Sequence, residues 1–202
     1  CVEAMVAAIL IILLKSLLND INQIGFKIYA ASIMCIMVQP LQIRAQGLSN
    51  LLSAADRSAI LELVAEYSFR WDAAEAEEFS LLFTEDAECN FYLNGESDPS
   101  SELCGRDSMR EAAKVRAGYF KKIGLITKHL MPNTVITEID ARTASLRTQA
   151  LITWQMLAKQ PLPQPVQAGY YDSLVVLTPE GWKFKRRDVR LNGVFKVKAV
   201  FG

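Results

Sequence analysis

What the sequence lacks narrows its chemistry first. It has one histidine and four cysteines in 202 residues, and its 22 basic residues balance 22 acidic ones. No cysteines sit in a CxxC pair, and one histidine cannot complete a zinc set, so no metal site is expected. Zero net charge gives no electrostatic grip on nucleic acid, which is excluded as a partner. The one basic cluster, Lys183, Lys185, Arg186 and Arg187, is split between two faces if it lies in a strand, and is taken as a solvated edge. No glycine-rich phosphate cradle and no internal repeat is present. Cys89 and Cys104 have no flanking motif that would make either a nucleophile with His129. They are taken as two separate buried thiols, with a disulfide the alternative in an oxidising compartment.

Long hydrophobic runs are also missing. The two apolar stretches, 4–14 and 28–38, are 11 residues each, short of the ~20 that span hydrocarbon. Lys27, the second run, Pro40 and then "IRAQG" (43–47) follow the order of an export signal: positive charge, apolar core, small residue at the cut. Cleavage after Ala45 divides the chain into a signal at 1–45 and a working domain at 46–202, exported to the periplasm or medium. An uncleaved membrane anchor is the alternative for 1–45, and a helix belonging to the fold is the third reading.

What is there is patterned. Ser53 and Asp56 form an S-x-x-D start that caps a helix. Ile60, Leu63, Val64, Tyr67 and Trp71 then recur at helical spacing as one apolar stripe. "EAEEFSLLFTEDA" (75–87) suggests a second short helix. "AECNFYLNG" (87–95) alternates, with Ala87, Cys89, Phe91 and Leu93 on one face and Glu88, Asn90 and Tyr92 on the other. "ESDPSSE" is a loop by composition, and 105–122 a third helix starting near Asp107 or Ser108, with Met109, Ala112, Ala113 and Phe120 as its apolar contacts. Strand-like segments follow to the end, with "TPEG" (178–181) a hairpin turn and the proline-rich "KQPLPQPVQAG" (159–169) a loop. Helices first and antiparallel strands afterwards means α+β, with helices packed on one face of a sheet.

This order resembles the nuclear-transport-factor-2-like superfamily. "YSFRWDAAEAEEFSLLFTEDAE" is similar to the helix pair of its SnoaL-like group, "CGRDSMREA" to that group's strand-to-helix glycine, "TKHLMPN" to its histidine strand, and "GWKFKRRDVR" to its closing strand. The likeness covers about 53–192. It implies a cone-shaped α+β barrel, three N-terminal helices packed in a strongly curved antiparallel sheet. Within the superfamily the chain looks most like the dehydratases, typified by scytalone dehydratase and bile-acid 7α-dehydratase, with ketosteroid isomerases as further relatives. Those enzymes set a helix-borne Asp against a sheet-borne His and use no metal or cofactor.

The resemblance therefore implies Asp72 and His129 as an acid–base dyad, Tyr67 and Tyr92 as pocket tyrosines, and Arg187 or Arg190 as a closing-strand arginine, with substrate binding assigned to those four. The chain departs from scytalone dehydratase in having no second histidine, which that enzyme's water-assisted arrangement uses. The bland reading of His129 is a strand histidine facing solvent or tied to a backbone carbonyl, and of Asp72 a surface carboxylate at a helix end.

The chemistry suits the residue types. Removing water β to a carbonyl needs a base for the α-proton and an acid for the hydroxyl, and imidazole serves as both in turn. The expected function is a cofactor-free lyase or isomerase that dehydrates a small hydrophobic hydroxy-carbonyl, steroid or polyketide-like molecule. The alternatives are a non-catalytic cone that binds an apolar ligand, and an accessory subunit resembling the β-subunit of ring-hydroxylating dioxygenases. Relatives of this kind imply a homo-oligomer, dimer or trimer.

Overall fold

A computed structural model describes residues 52–201. The expectations for 1–45, signal or anchor, lie outside the described residues. No described helix is long and apolar enough to cross a membrane.

Helix α1, Ala54–Ala73, starts where the sequence sets it. Ser53 Oγ accepts from the Asp56 backbone N–H at 3.1 Å, and the Asp56 carboxylate accepts from the Ser53 N–H at 3.2 Å, a reciprocal capping box. The same carboxylate accepts from Trp182 Nε1 at 3.0 Å, tying the helix start to the end of the chain's last hairpin. Ile60, Leu63, Val64 and Tyr67 are buried as the stripe requires, and Trp71 packs against them half-buried. Ala74, left-handed at φ 61°, ends the helix.

The second helix is shorter than expected. Helix α2 spans Ala76–Ser80 only, and strand β1, Phe83–Leu93, starts four residues before the alternation becomes legible. The cause is a register shift between Phe83 and Glu88 in the pairing with the last strand, which breaks the period-two pattern over that stretch. After a turn, β2 (Ser101–Cys104) takes the end of the segment assigned to a loop, and α3 covers Arg106–Ile123. Gly105 stands at the α3 N-cap, and no side chain, Asp107 and Ser108 included, caps it.

Strands β3 (Ile126–Leu130), β4 (Thr134–Asp140), β5 (Thr143–Met156), β6 (Gln160–Thr178) and β7 (Gly181–Gly193) follow, then a short α4, Lys198–Phe201. The sheet order is β2-β1-β7-β6-β5-β3, with β4 also on β5, so β3 and β4 are successive pieces along one edge. The fold is α+β, with a curved sheet that does not close on itself. The sheet is mixed rather than purely antiparallel, because β1 joins β7 in parallel.

β5 shows why these segments are strands. Its residues alternate without a break, with Ala144, Leu146, Thr148, Ala150, Ile152, Trp154 and Met156 all buried, as one face turned to a core demands. The proline-rich segment is the main misreading: 160–166 continues β6 instead of looping. Pro161, Pro163 and Pro165 stand where the ladder with β5 is irregular, with register shifts between Ile152 and Thr153 and between Trp154 and Met156, and prolines are tolerated at bulges and at sheet edges. That stretch pairs with β5 alone, since the ladder with β7 begins at Gln167. At Gly169 the strands run so close that a Cβ would lie 2.0 Å from the Arg190 carbonyl oxygen.

The thiols are half as expected. Cys89 is buried, Cys104 is exposed and both are free. Cys104 pairs with Glu88 across β1 and β2, so it faces the side of the sheet opposite Cys89.

Candidate active site

The last turn of α1 lies across β3, and there Asp72 meets His129. Asp72 Oδ1 accepts from His129 Nδ1 and Oδ2 from the His129 backbone N–H, both at 2.7 Å. The side chains are 9% and 7% exposed for His129 and Asp72, so neither bland reading describes them. A carboxylate can only accept, so Nδ1 carries the proton and Nε2 is left with its lone pair. Burial pulls the imidazole pKa below its usual 6.5 against the opposing pull of Asp72, and the nearby Arg116 and Arg187 push the same way as burial. Neutral imidazole is thus the resting form at pH 7.

His129 lines a half-open cavity of about 170 Å³ bounded by α1, α3 and the inner face of the sheet. Its wall is mostly apolar, including Trp71, Phe91, Ile152 and Trp154, with Tyr67 and Tyr171 beside them. Tyr67 is buried and makes edge contacts with Tyr171, Phe83 and Phe184 at 5.8–6.2 Å between ring centroids. Burial raises its phenol to about 12, so it stays a protonated hydroxyl through neutral pH.

The other three predicted residues do not line the cavity. Tyr92 pairs with Arg190 across β1 and β7, on the face opposite Phe91 and Leu93. There the Arg190 guanidinium lies 3.7 Å above the Tyr92 ring, and Asp188 gathers Arg186 and Asn90 close by. The strand alternation already put Tyr92 on that side, and the family likeness overrode it. Arg187 does point inward, but it lies behind the cavity wall. It is fully buried, with its guanidinium 3.9 Å from the Tyr67 ring, 4.4 Å from Phe184 and 4.6 Å from Tyr171. Nη1 donates to Ser173 Oγ at 3.0 Å.

Sequence reasoning missed Arg116, Thr127, Gln167 and Tyr171, which all line the cavity. Two had a signal. Thr127 is two residues before His129 in β3 and so shares its face. Arg116 interrupts the apolar stripe of Met109, Ala113 and Phe120 at helical spacing, a charged residue where a core residue belongs.

The SnoaL-like domain family matches residues 53–188. The chain belongs to the SnoaL-like family. No curated protein matches it. Among solved structures, the SnoaL-like domain is similar to a provisionally assigned scytalone dehydratase from Novosphingobium aromaticivorans, at 25% identity and TM-score 0.56 over 70% of this chain and 85% of that one. The β-subunit of a provisionally assigned aromatic-ring-hydroxylating dioxygenase from the same organism matches at 16% identity and TM-score 0.58, over 72% and 94%. Aln2 from a Streptomyces species matches at 17% and 0.57, over 71% and 93%. At such identities the last two establish the shared fold alone.

Proposed function

We propose that this SnoaL-like domain is a cofactor-free lyase or isomerase in which His129 moves a proton beside a substrate carbonyl. The reaction we favour is dehydration of a small hydrophobic hydroxy-carbonyl compound. The observation that carries this reading is the double hold of Asp72 on His129 at the wall of an apolar cavity.

In this reading Nε2 takes the α-proton, because Nδ1–H is committed to Asp72. The carboxylate then stabilises the imidazolium, as in hydrolase triads. The imidazolium returns its proton to the departing β-hydroxyl, which leaves as water while the enolate electrons form the new double bond. Tyr67, protonated at neutral pH, donates to the carbonyl oxygen as charge develops there. Likeness to a scytalone dehydratase at 25% identity supports water loss over the other outcomes of the same proton step.

The test is water loss, or exchange of the α-proton, on a panel of β-hydroxy ketones. His129→Ala and His129→Gln are expected to lower turnover by about 10²–10⁴-fold, the usual cost of an acid–base group, with the melting transition preserved. If wild type acts on a substrate and His129→Ala matches it, the imidazole is not the base. Binding without turnover across the panel would favour a ligand-binding cone.

A further inference from the structure

Two polar atoms on this cavity are not used by the chemistry above. Arg116 Nη2 and Thr127 Oγ1 are buried and have no hydrogen-bond partner among the described residues, and both residues line the cavity. Thr127 is 5% exposed, and its hydroxyl leaves β3 on the same face as the His129 ring. Arg116 is clamped in place. Its guanidinium lies 4.4 Å from the ring centroids of both Trp71 and Phe120, and Nη1 donates to the Trp71 carbonyl oxygen at 3.0 Å. The rings and that bond fix the planar fork with Nη2 unspent.

Charge points the same way. Among the described residues the ionisable groups facing the interior are Asp72, His129, Arg116, Arg187, Tyr67, Tyr171 and Cys89. Burial keeps the imidazole, both phenols and the thiol neutral at pH 7. It lowers Arg116 to about 10, with Asp72 pulling the other way, so that guanidinium is still charged. One carboxylate therefore stands against two cations, and the carboxylate is already spent on His129. Buried charge without a counter-charge is unfavourable, and a ligand anion would supply it.

We propose that Arg116 Nη2 and Thr127 Oγ1 form an oxyanion-binding pair, and that the ligand of this cavity is a single-ring molecule carrying one acidic oxygen. The oxygen is that of an ionised enol or phenol, or of a carboxylate. Size suits a single ring beside these groups: about 170 Å³ is close to the ~150 Å³ cavity that takes benzene. The proposal rests on the proton-transfer reading only in placing substrate in this cavity. If that reading holds, the pair joins the Tyr67 hydroxyl on the enolate oxygen as His129 withdraws the proton.

The test uses the full chain and three probes: 4-nitrophenol, which ionises near neutrality and is coloured as the anion; benzoate; and neutral benzyl alcohol. Wild type is expected to bind the phenolate or benzoate in preference to benzyl alcohol, and bound 4-nitrophenol should titrate below its free pKa. Phenolate over benzoate identifies the enol-type ligand, and the reverse a carboxylic acid. Arg116→Met should weaken anion binding about tenfold or more, the size of one charge-assisted hydrogen bond, with benzyl alcohol changed less than about twofold. Thr127→Val, a near-isosteric change that serves should Arg116→Met fail to fold, should weaken the anion about fivefold, as loss of a neutral hydrogen bond does. His129→Gln should keep the anion preference whether or not the protein turns over any substrate, which separates this proposal from the reaction itself. Equal binding of charged and neutral probes by wild type, or an anion preference surviving in the folded Arg116 and Thr127 variants, overturns it.

Discussion

Asp72 grips His129 at two points, its Oδ2 on the backbone N–H and its Oδ1 on Nδ1, both at 2.7 Å. Both oxygens are thus occupied by one residue of β3, so the carboxylate fixes the strand position and the ring tautomer together. Asp72→Asn keeps the shape but offers one acceptor where two donors wait. The amide nitrogen must then face either the backbone N–H or the ring, and a ring that accepts from it carries its proton on Nε2, where the base is needed. The variant should lose about 10²–10⁴-fold in kcat with little change in KM. It should also lose about 1 kcal/mol or more of stability, because neutral hydrogen bonds replace charge-assisted ones. Steady-state kinetics and urea midpoints check both, and a wild-type kcat in Asp72→Asn would show that the carboxylate does not set the tautomer.

The lowered imidazole pKa gives a pH signature in both rate and stability. In the proposed reaction His129 works unprotonated, so kcat/KM should rise with pH through a value below 6.5 and be level by neutrality. For stability, the unfolded chain binds a proton near 6.5 while the folded chain resists it. Between the two pKa values the unfolded state holds more protons, so stability falls as pH drops below about 6.5 and is unaffected above it. His129→Gln has no such group and should lack this part of the acid loss in parallel urea titrations from pH 7.5 to 5. Curves that superimpose would mean the ring is no harder to protonate when folded.

Local periodicity carried the elements that pack on one face. The α1 stripe from Ile60 to Tyr67 and the alternation of β5 follow directly from spacing, because burial on one side imposes the period. Failures came where tertiary pairing overrides local signal. The register shift in β1 hid the strand at 83–86, and three prolines read as a loop although prolines are tolerated where a strand is paired on one side and its ladder is irregular. Asp72 and His129 are 57 positions apart, and no local pattern links them; the family likeness did. That same likeness misplaced Tyr92, whose face was set by simple alternation with Phe91 and Leu93, and Arg190, which stands opposite it between Val189 and Leu191. Arg116 was passed over because a helix read for its apolar contacts makes a charged member of the stripe look like surface.

Tyr92 and Arg190 supply a control. They stack on each other on the outer face of β1 and β7, away from the cavity. Tyr92 is buried there, so Tyr92→Leu should leave kcat/KM within about twofold while losing about 2 kcal/mol or more with the desolvated cation–π contact, read as a lower urea midpoint. A large loss of activity at unchanged stability would mean that substrate reaches this face.

Arg187 tests what a buried cation without a carboxylate rests on. No acid pairs with it among the described residues. Its planar group lies against Tyr67, Tyr171 and Phe184 at 3.9–4.6 Å and donates to Ser173. A delocalised, weakly hydrated guanidinium suits a pocket walled by three rings, while an ammonium is compact and strongly hydrated. Arg187→Lys keeps the charge and loses the ring contacts and the fork, so the desolvation cost stays while its compensation goes. Arg187→Met removes the cost and the compensation together, leaving a flexible apolar chain of similar length and one unpaired Ser173 hydroxyl. Lysine should therefore be the worse substitution, by about 2 kcal/mol or more, measured as urea midpoints of the two variants side by side. If lysine is tolerated as well as methionine, the charge is not held by the rings, and the count of interior charges that favours an anionic ligand must be revised with it.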